Sequence, residues 1–416
     1  MNSYSEKNTP ILNKIILVSL FTCAAFSMFS ISITQVAAGV GGMAWLFQTH
    51  INRVWQEQQW PLGIPFVLFI IACLIAVIDA FDPSYSYTEL RKLLEMLIFF
   101  WVINCTKSNQ IRKSLIMVII ISATIASLYG FYQGSVDGVT IDKRVEGTMS
   151  VYMTFAGLIM LAGVFSLGRA LFRQPREIWL LPVIGIFLVC LLFTFTRQAW
   201  FGFLMGFLFL VFVWKRKITS IASGLFLIIL LTYGSNIQSQ ALNMTSDYRG
   251  HFSFIKHLKF RVNSMLSGKD RTFFTRVSLW KGGWEIFKDN PLTGCGFKCV
   301  DLIHTKYPDP TGHMKNLRGM HNNIIQLAVD TGVIGVIAWS GIWFSFFRLL
   351  YLRNKFLEDN SENRWIIYGS AASGVAFLAG GLFETNFYDS EVVMLLYFIM
   401  ALPFAHLKHN KVKKPR

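Results

Sequence analysis

Charge is scarce in this chain, and negative charge scarcer still: charged residues fill 15% of 416 positions, with 23 Asp and Glu against 39 Lys and Arg. With 53% of residues hydrophobic, 38 Phe and 12 Trp, that excludes a soluble domain, because a chain of this length cannot hide so much apolar surface in one core. The first apolar run, from about Ile15, has no Ala-x-Ala-like end and is followed at once by another. It is therefore expected to stay as a first span rather than to be cleaved as a signal peptide. His304, His313 and His321 with Asp301 and Asp309 show no metal-ligand spacing, so no metal and no cofactor are expected. Internal repeats and low-complexity segments are missing as well.

What is present is a succession of apolar runs long enough to cross a hydrocarbon core. The expected fold is an all-α polytopic membrane protein of about twelve transmembrane helices. Their centres fall near Leu20, Val40, Leu68, Leu97, Ile120, Leu158, Gly185, Phe207, Ile228, Ile334, Ala376 and Leu396. The +16 formal charge does not signify nucleic acid, since Lys and Arg cluster in short polar gaps as the positive-inside rule expects. With the N-terminus in the cytoplasm, the gaps holding Lys107/Arg112/Lys113, Arg169/Arg173/Arg176, Lys215/Arg216/Lys217 and Arg348/Arg353/Lys355/Arg364 lie inside with the basic tail. Three regions result: spans one to nine over 1–234, a large outer loop over 235–320, and spans ten to twelve with the tail over 321–416.

The loop carries thirteen Lys/Arg against six Asp/Glu. Long loops translocate regardless of charge, so the orientation survives. Within it, Ile255, Leu258, Val262 and Met265 share one helical face and predict a helix lying in the outer headgroup layer. A second helix, from about Phe273 to Lys288, aligns Val277, Trp280, Trp284 and Phe287 and stops at Asn290-Pro291. Cys23, Cys73, Cys105 and Cys190 lie in apolar runs as small hydrophobes. Cys295 and Cys299 share the polar loop, where loop geometry decides whether they bridge.

Four groups of residues invite chemistry. Arg197 sits at the outer junction of two spans, where a guanidinium either pairs with a phosphate or anchors to lipid headgroups. Arg276 and Lys281 belong to the second loop helix beside Trp280, with Arg271 about one and a half turns before Arg276, facing an anionic headgroup or merely solvated. His321-Asn322 begins an apolar helix, as a base or donor near neutral pH or as a cap, with Gly332 and Gly335 allowing close packing behind it. Glu384, Asp389 and Glu391 line the last outward hairpin, able to bind a hydroxyl or assist a base, or simply solvated.

These segments together resemble the bacterial O-antigen ligase family. Thr196-Arg197-Gln198-Ala199-Trp200 is similar to its Thr-Arg-x-Ala-Trp segment, with Gln198 where many relatives carry Gly. Arg276-Val277-Ser278-Leu279-Trp280 and Pro291-Leu292-Thr293-Gly294-Cys295-Gly296 resemble the elements of its large periplasmic loop. His321-Asn322-x9-Gly332-x2-Gly335 fits its histidine motif. The resemblance implies a glycosyltransferase C-type fold in the bacterial inner membrane with its site on the periplasmic side. It implies an undecaprenyl-diphosphate-linked glycan as donor, a sugar hydroxyl of lipid A-core as acceptor, and a metal-independent, inverting transfer. Arg197 and Arg276, helped by Arg271 and Lys281, would hold the diphosphate, and His321, supported by Asn322, would act on the hydroxyl. A single large outer loop favours ligase over the related O-antigen polymerases. A secondary transporter is disfavoured because no pair of Gly/Pro-broken helices and no acidic residue buried mid-span is apparent.

Overall fold

The computed structural model describes residues 9–140, 143–215, 271–307, 312–317, 319–357 and 363–405. Every regular element among them is helical. In chain order these are α1 (Pro10–Phe26), α2 (Ile31–Asn52), α3 (Gly63–Ile78), α4 (Pro83–Glu89), a 3-10 segment (Leu90–Met96), α5 (Leu97–Cys105) and α6 (Asn109–Asp137). There follow α7 (Tyr152–Phe172), α8 (Leu180–Phe193), α9 (Arg197–Trp214), α10 (Arg271–Asp289), α11 (Val300–Ile303), α12 (His313–Leu317), α13 (Asn323–Lys355), α14 (Arg364–Gly380) and α15 (Ser390–Ala401). Of the expected span centres, all but Ile228 fall in these helices; Ile228 and the Ile255–Met265 helix lie outside the described residues. Four helices, α6, α7, α9 and α13, are both long and apolar enough to cross a bilayer, and α1, α3, α8 and α15 are shorter apolar helices.

The core is built by close approach of small residues, as expected where lipid and protein interiors are equally apolar. α14 packs against both α7 and α9. Gly168 faces the backbone of Gly369, and Gly202 faces the carbonyl of Ala376, 2.6 Å from where a Cβ would stand. Large rings then fill the remaining space: Trp101, Phe66, Phe99, Phe155, Phe187 and Phe377 are all fully buried. At one end, Arg169 is buried against Glu177, its Nε and Nη2 donating to the two carboxylate oxygens at 2.6 and 3.0 Å. Such bidentate pairing is what makes a buried guanidinium tolerable.

α13 is not one continuous helix. Gly332 has φ 62° and ψ −167°, so two helical segments meet there. The close packing expected at this glycine is present, against the Leu292–Thr293 backbone, but it occurs at a break in the helix. The break is filled by the loop 290–296. Val333 and Ile334 donate their N–H groups to the carbonyls of Pro291 and Leu292, at 2.9 and 3.3 Å. The carbonyls those amides would have used in a continuous helix, of Val329 and Asp330, accept instead from Cys295 and Gly296 at 2.9 and 3.1 Å. Four backbone groups freed by the break are thus paired, which an apolar environment demands. Gly335 lies one turn on, its Cα against the Thr331 side chain.

The same loop is fixed from its other side. Cys295 and Cys299 form a disulfide with Cα atoms 5.8 Å apart. Phe81 donates its N–H to the Cys295 carbonyl at 2.9 Å, Tyr85 donates to Asp301 at 2.8 Å, and Lys298 pairs with Glu89 at 3.0 Å. The loop therefore bridges the α3–α4 turn and the break in α13.

Gly332→Ala should be destabilising by about 2 kcal/mol or more, because it adds backbone strain and drives a methyl into the Leu292 carbonyl. Thermal unfolding in detergent measures it. A melting temperature equal to that of the parent would contradict the account of the break.

Candidate active site

His321 stands at the head of α13 with φ 46°, in the left-handed region that is strained for a residue bearing a side chain. Hydrogen bonds on both sides hold it there. Asn322 caps the helix, its side-chain oxygen accepting from the N–H groups of Ile324 and Ile325 at 2.9 and 3.0 Å. The same side chain donates to the Leu382 carbonyl at 2.9 Å, so the cap is also a link to the last turn. Just before the histidine, Met320 donates its N–H to Gln326 and accepts from the Trp280 indole, both at 2.8 Å.

The turn between α14 and α15 is stitched to this helix start. Asn323 donates its N–H to the Gly381 carbonyl at 2.7 Å and its side-chain amide to Asn386 at 2.6 Å. Phe387 donates its N–H back to Asn323 at 3.1 Å. Two turns along, Asp330 is fully buried and accepts from Tyr388 at 2.5 Å and Gln326 at 3.0 Å. This corrects the expectation that no acidic residue is buried within a span. Asp330 escapes a sequence scan because one of its two partners, Tyr388, comes from a turn 58 residues further along the chain.

The turn delivers Glu384. His321 Nδ1 lies 2.8 Å from Glu384 Oε1, with both side chains mostly buried at 20% and 16% exposed. Thr385 donates its N–H to that same oxygen at 3.1 Å. The other carboxylate oxygen is 3.5 Å from the Gln198 side-chain amide. An ionised carboxylate only accepts, so the pairing assigns the proton to Nδ1 and leaves Nε2 as the basic nitrogen.

Gln198 is the second residue of α9, and Arg197 the first. That helix start is fixed by a compact turn. Phe195 adopts φ 48°, Thr196 is buried and bonds back to Thr194, and the Trp200 indole donates to the Leu191 carbonyl at 2.8 Å. The Thr-Arg-Gln segment and the His-Asn segment therefore meet at Glu384. A cavity of about 110 Å³ opens there, lined by Gln198, Glu384, Asn386, Asp389, Thr154 and Met160 among others.

α10 reaches the same place through Trp280. Arg276 lies one turn before Trp280 on that helix, partly buried, and Lys281 follows it, exposed. Arg271 is the first residue of the helix, and its side chain is outside the described set. The buried face of α10 is Leu279, Gly283 and Ile286, not the Val277–Trp280–Trp284–Phe287 stripe. The reason is that Gly282 and Gly283 let Met314 and Met320 lie across the helix. Trp284, 56% exposed, stacks on Phe287 with ring centroids 5.5 Å apart and faces outward. The sulfurs of Cys295 and Cys299 come within 4.8 Å of an Asp330 oxygen, but bonded to each other they offer no thiolate to a metal.

Glu384 is the residue that sequence reasoning undervalued. From the sequence it reads as a solvated acid or helper of a base on the outward hairpin, and only the fold puts it against a histidine 63 positions earlier.

An α-helical membrane protein with a partly buried histidine–carboxylate pair, set beside an arginine-led helix start and a basic loop helix, is the class this arrangement defines. The O-Antigen ligase family model matches residues 182–340, from α8 through the α9 start and the loop to the first half of α13. The chain thus carries an O-antigen ligase family domain, over the stretch that holds every sequence motif of the site. No curated protein matches the chain.

Asp389 offers a check on the burial at this site. It accepts from Thr154 at 2.6 Å, and burial, with Glu391 nearby, raises its pKa above the usual carboxylate range. The folded state then binds a proton that the unfolded state releases, so stability should fall as pH rises from about 4 toward neutrality. Asp389→Asn should flatten that fall, read as melting temperature against pH. Parallel curves for the two proteins would contradict the assignment.

Proposed function

We propose that the chain is an O-antigen ligase. It transfers a glycan from undecaprenyl diphosphate to a sugar hydroxyl of lipid A-core in the bacterial inner membrane, without metal and with inversion. This reading also takes the twelve-span, glycosyltransferase C-type arrangement with a periplasmic loop over 235–320 and the site on the periplasmic face. The observation that carries it is the His321–Glu384 pair at 2.8 Å, set beside an α9 that starts with Arg197.

The chemistry follows from the atoms. With Nδ1–H held by Glu384, His321 Nε2 accepts the proton of the acceptor hydroxyl as its oxygen forms a bond to the anomeric carbon. The bond from that carbon to the diphosphate oxygen breaks on the opposite face, so one displacement inverts the centre. The leaving diphosphate takes the electron pair and needs cations rather than a proton. Arg197 supplies one at the positive end of α9, where the helix N-terminus also favours an anion. Arg276 supplies a second from α10, with Arg271 and Lys281 on the same helix. Asn322 keeps the imidazole in place, and Gly332 with Gly335 keeps the helix beneath it broken and packed.

Family members are membrane glycosyltransferase-like enzymes, both ligases and polymerases, and the shared donor chemistry supports this reading. His321→Ala should lower kcat about 10²- to 10⁴-fold with donor KM little changed. Glu384→Ala should cost on the order of 10²-fold through a misplaced imidazole, while Glu384→Gln, whose amide oxygen can still accept from Nδ1–H, should retain more. Arg197→Ala should instead raise donor KM as well as lower kcat. Release of the polyprenyl diphosphate reports all four, and a Glu384→Ala enzyme as fast as the parent would refute the pairing's role.

A further inference from the structure

A second, larger cavity, of about 700 Å³, lies between α2, the 3-10 segment, α5 and α15. Asp389 lines the small cavity at Gln198 and Glu384, and the next residue, Ser390, lines this one. The two spaces therefore adjoin across a single turn. The walls of the larger one are apolar, with Ala38, Met43, Leu46, Leu94, Ile98 and Trp101. Met43 and Leu94 are also 73% and 64% exposed, so the cavity opens sideways on the apolar belt. Arg91, Lys92 and Glu95 form its polar end.

Two glycines keep it open. A Cβ on Gly39 or Gly42 would meet nothing within 4 Å, whereas Gly41 between them is pressed against Trp101 and Ser19. Lys92 Nζ donates to the Tyr388 carbonyl at 2.6 Å and lies 3.5 Å from the Ser390 hydroxyl, which ties the polar end to the catalytic turn. A long apolar cleft, open to lipid and ending in two basic side chains and one carboxylate beside a reaction centre, matches an amphiphile with hydrocarbon chains and an anionic sugar head.

We propose that this cleft seats acyl chains of the acceptor glycolipid, a phosphorylated and acylated sugar, with Lys92 and Arg91 at its phosphate. The assignment to the acceptor rests on the ligase reading and on placement. α9, which Arg197 opens, meets Glu384 through Gln198, α10, which carries Arg276, meets Met320 through Trp280, and neither helix lines this cleft. Two membrane-bound substrates then approach from separate sides and meet at the Glu384–Asp389 turn.

The test uses the purified full chain in detergent and two probes: a hexaacylated, diphosphorylated glucosamine disaccharide, and a short polyprenyl diphosphate. Gly42→Leu fills the cleft at a helix position where its Cβ meets no neighbour, so the fold should be retained and the melting temperature checks that it is. The expected result is acylated-lipid binding weakened about tenfold or more, with polyprenyl diphosphate binding unchanged. Lys92→Ala should weaken the phosphorylated lipid but not its dephosphorylated form. Unchanged acylated-lipid binding in Gly42→Leu would overturn the proposal, and so would loss of polyprenyl diphosphate binding instead. Gly42-dependent binding of the acylated lipid by a parent that transfers no glycan would support the cleft's ligand class while overturning the ligase reading.

Discussion

The break at Gly332 is the constraint on which the rest of this end of the molecule depends. A helix interrupted in an apolar setting must have its freed amides and carbonyls paired, or each costs several kcal/mol. Here a loop supplies both kinds of partner, so the loop cannot leave without exposing four backbone groups at once. Cys295–Cys299, Tyr85–Asp301 and Lys298–Glu89 then hold that loop from behind. The cost of the break is returned as position: the polar loop, α10 and the start of α13 become one unit.

Everything chemical hangs from that unit. Trp280 fixes the carbonyl next to His321, Asn322 and Asn323 fix the turn that carries Glu384, and Glu384 faces Gln198 at the start of α9. Elements far apart in sequence are therefore brought to one imidazole by side-chain amides and backbone carbonyls rather than by charge pairs. Amides suit this task, since each offers donors and an acceptor in fixed geometry and none needs a counter-ion at the membrane edge.

Much of this was legible from residue order. Apolar runs place the helices because burial in lipid is read directly from composition, and Leu158 or Ile334 needs no tertiary information to be assigned. Arg197 and His321 stood out because polar groups are rare where they occur. Glu384 did not, because acids at turns are common and its partner lies 63 residues away. Gly332 was visible as a glycine but not as a break, since a Gly-x-x-Gly pattern in an apolar run reads equally well as a packing motif. The buried face of α10 was missed for a related reason: its key positions are Gly282 and Gly283, which carry no hydrophobic signal and become meaningful only when Met314 and Met320 lie on them.

The central claim is a transfer between two lipid-borne substrates at the His321–Glu384 pair. Purified chain in liposomes containing both a polyprenyl-diphosphate-linked glycan and lipid A-core, with products resolved by mass, tests it most directly. The account predicts that lipid A-core gains the glycan's mass as free polyprenyl diphosphate appears. Lengthening of the polyprenyl-linked glycan, with lipid A-core unmodified, would contradict it and make the enzyme a polymerase.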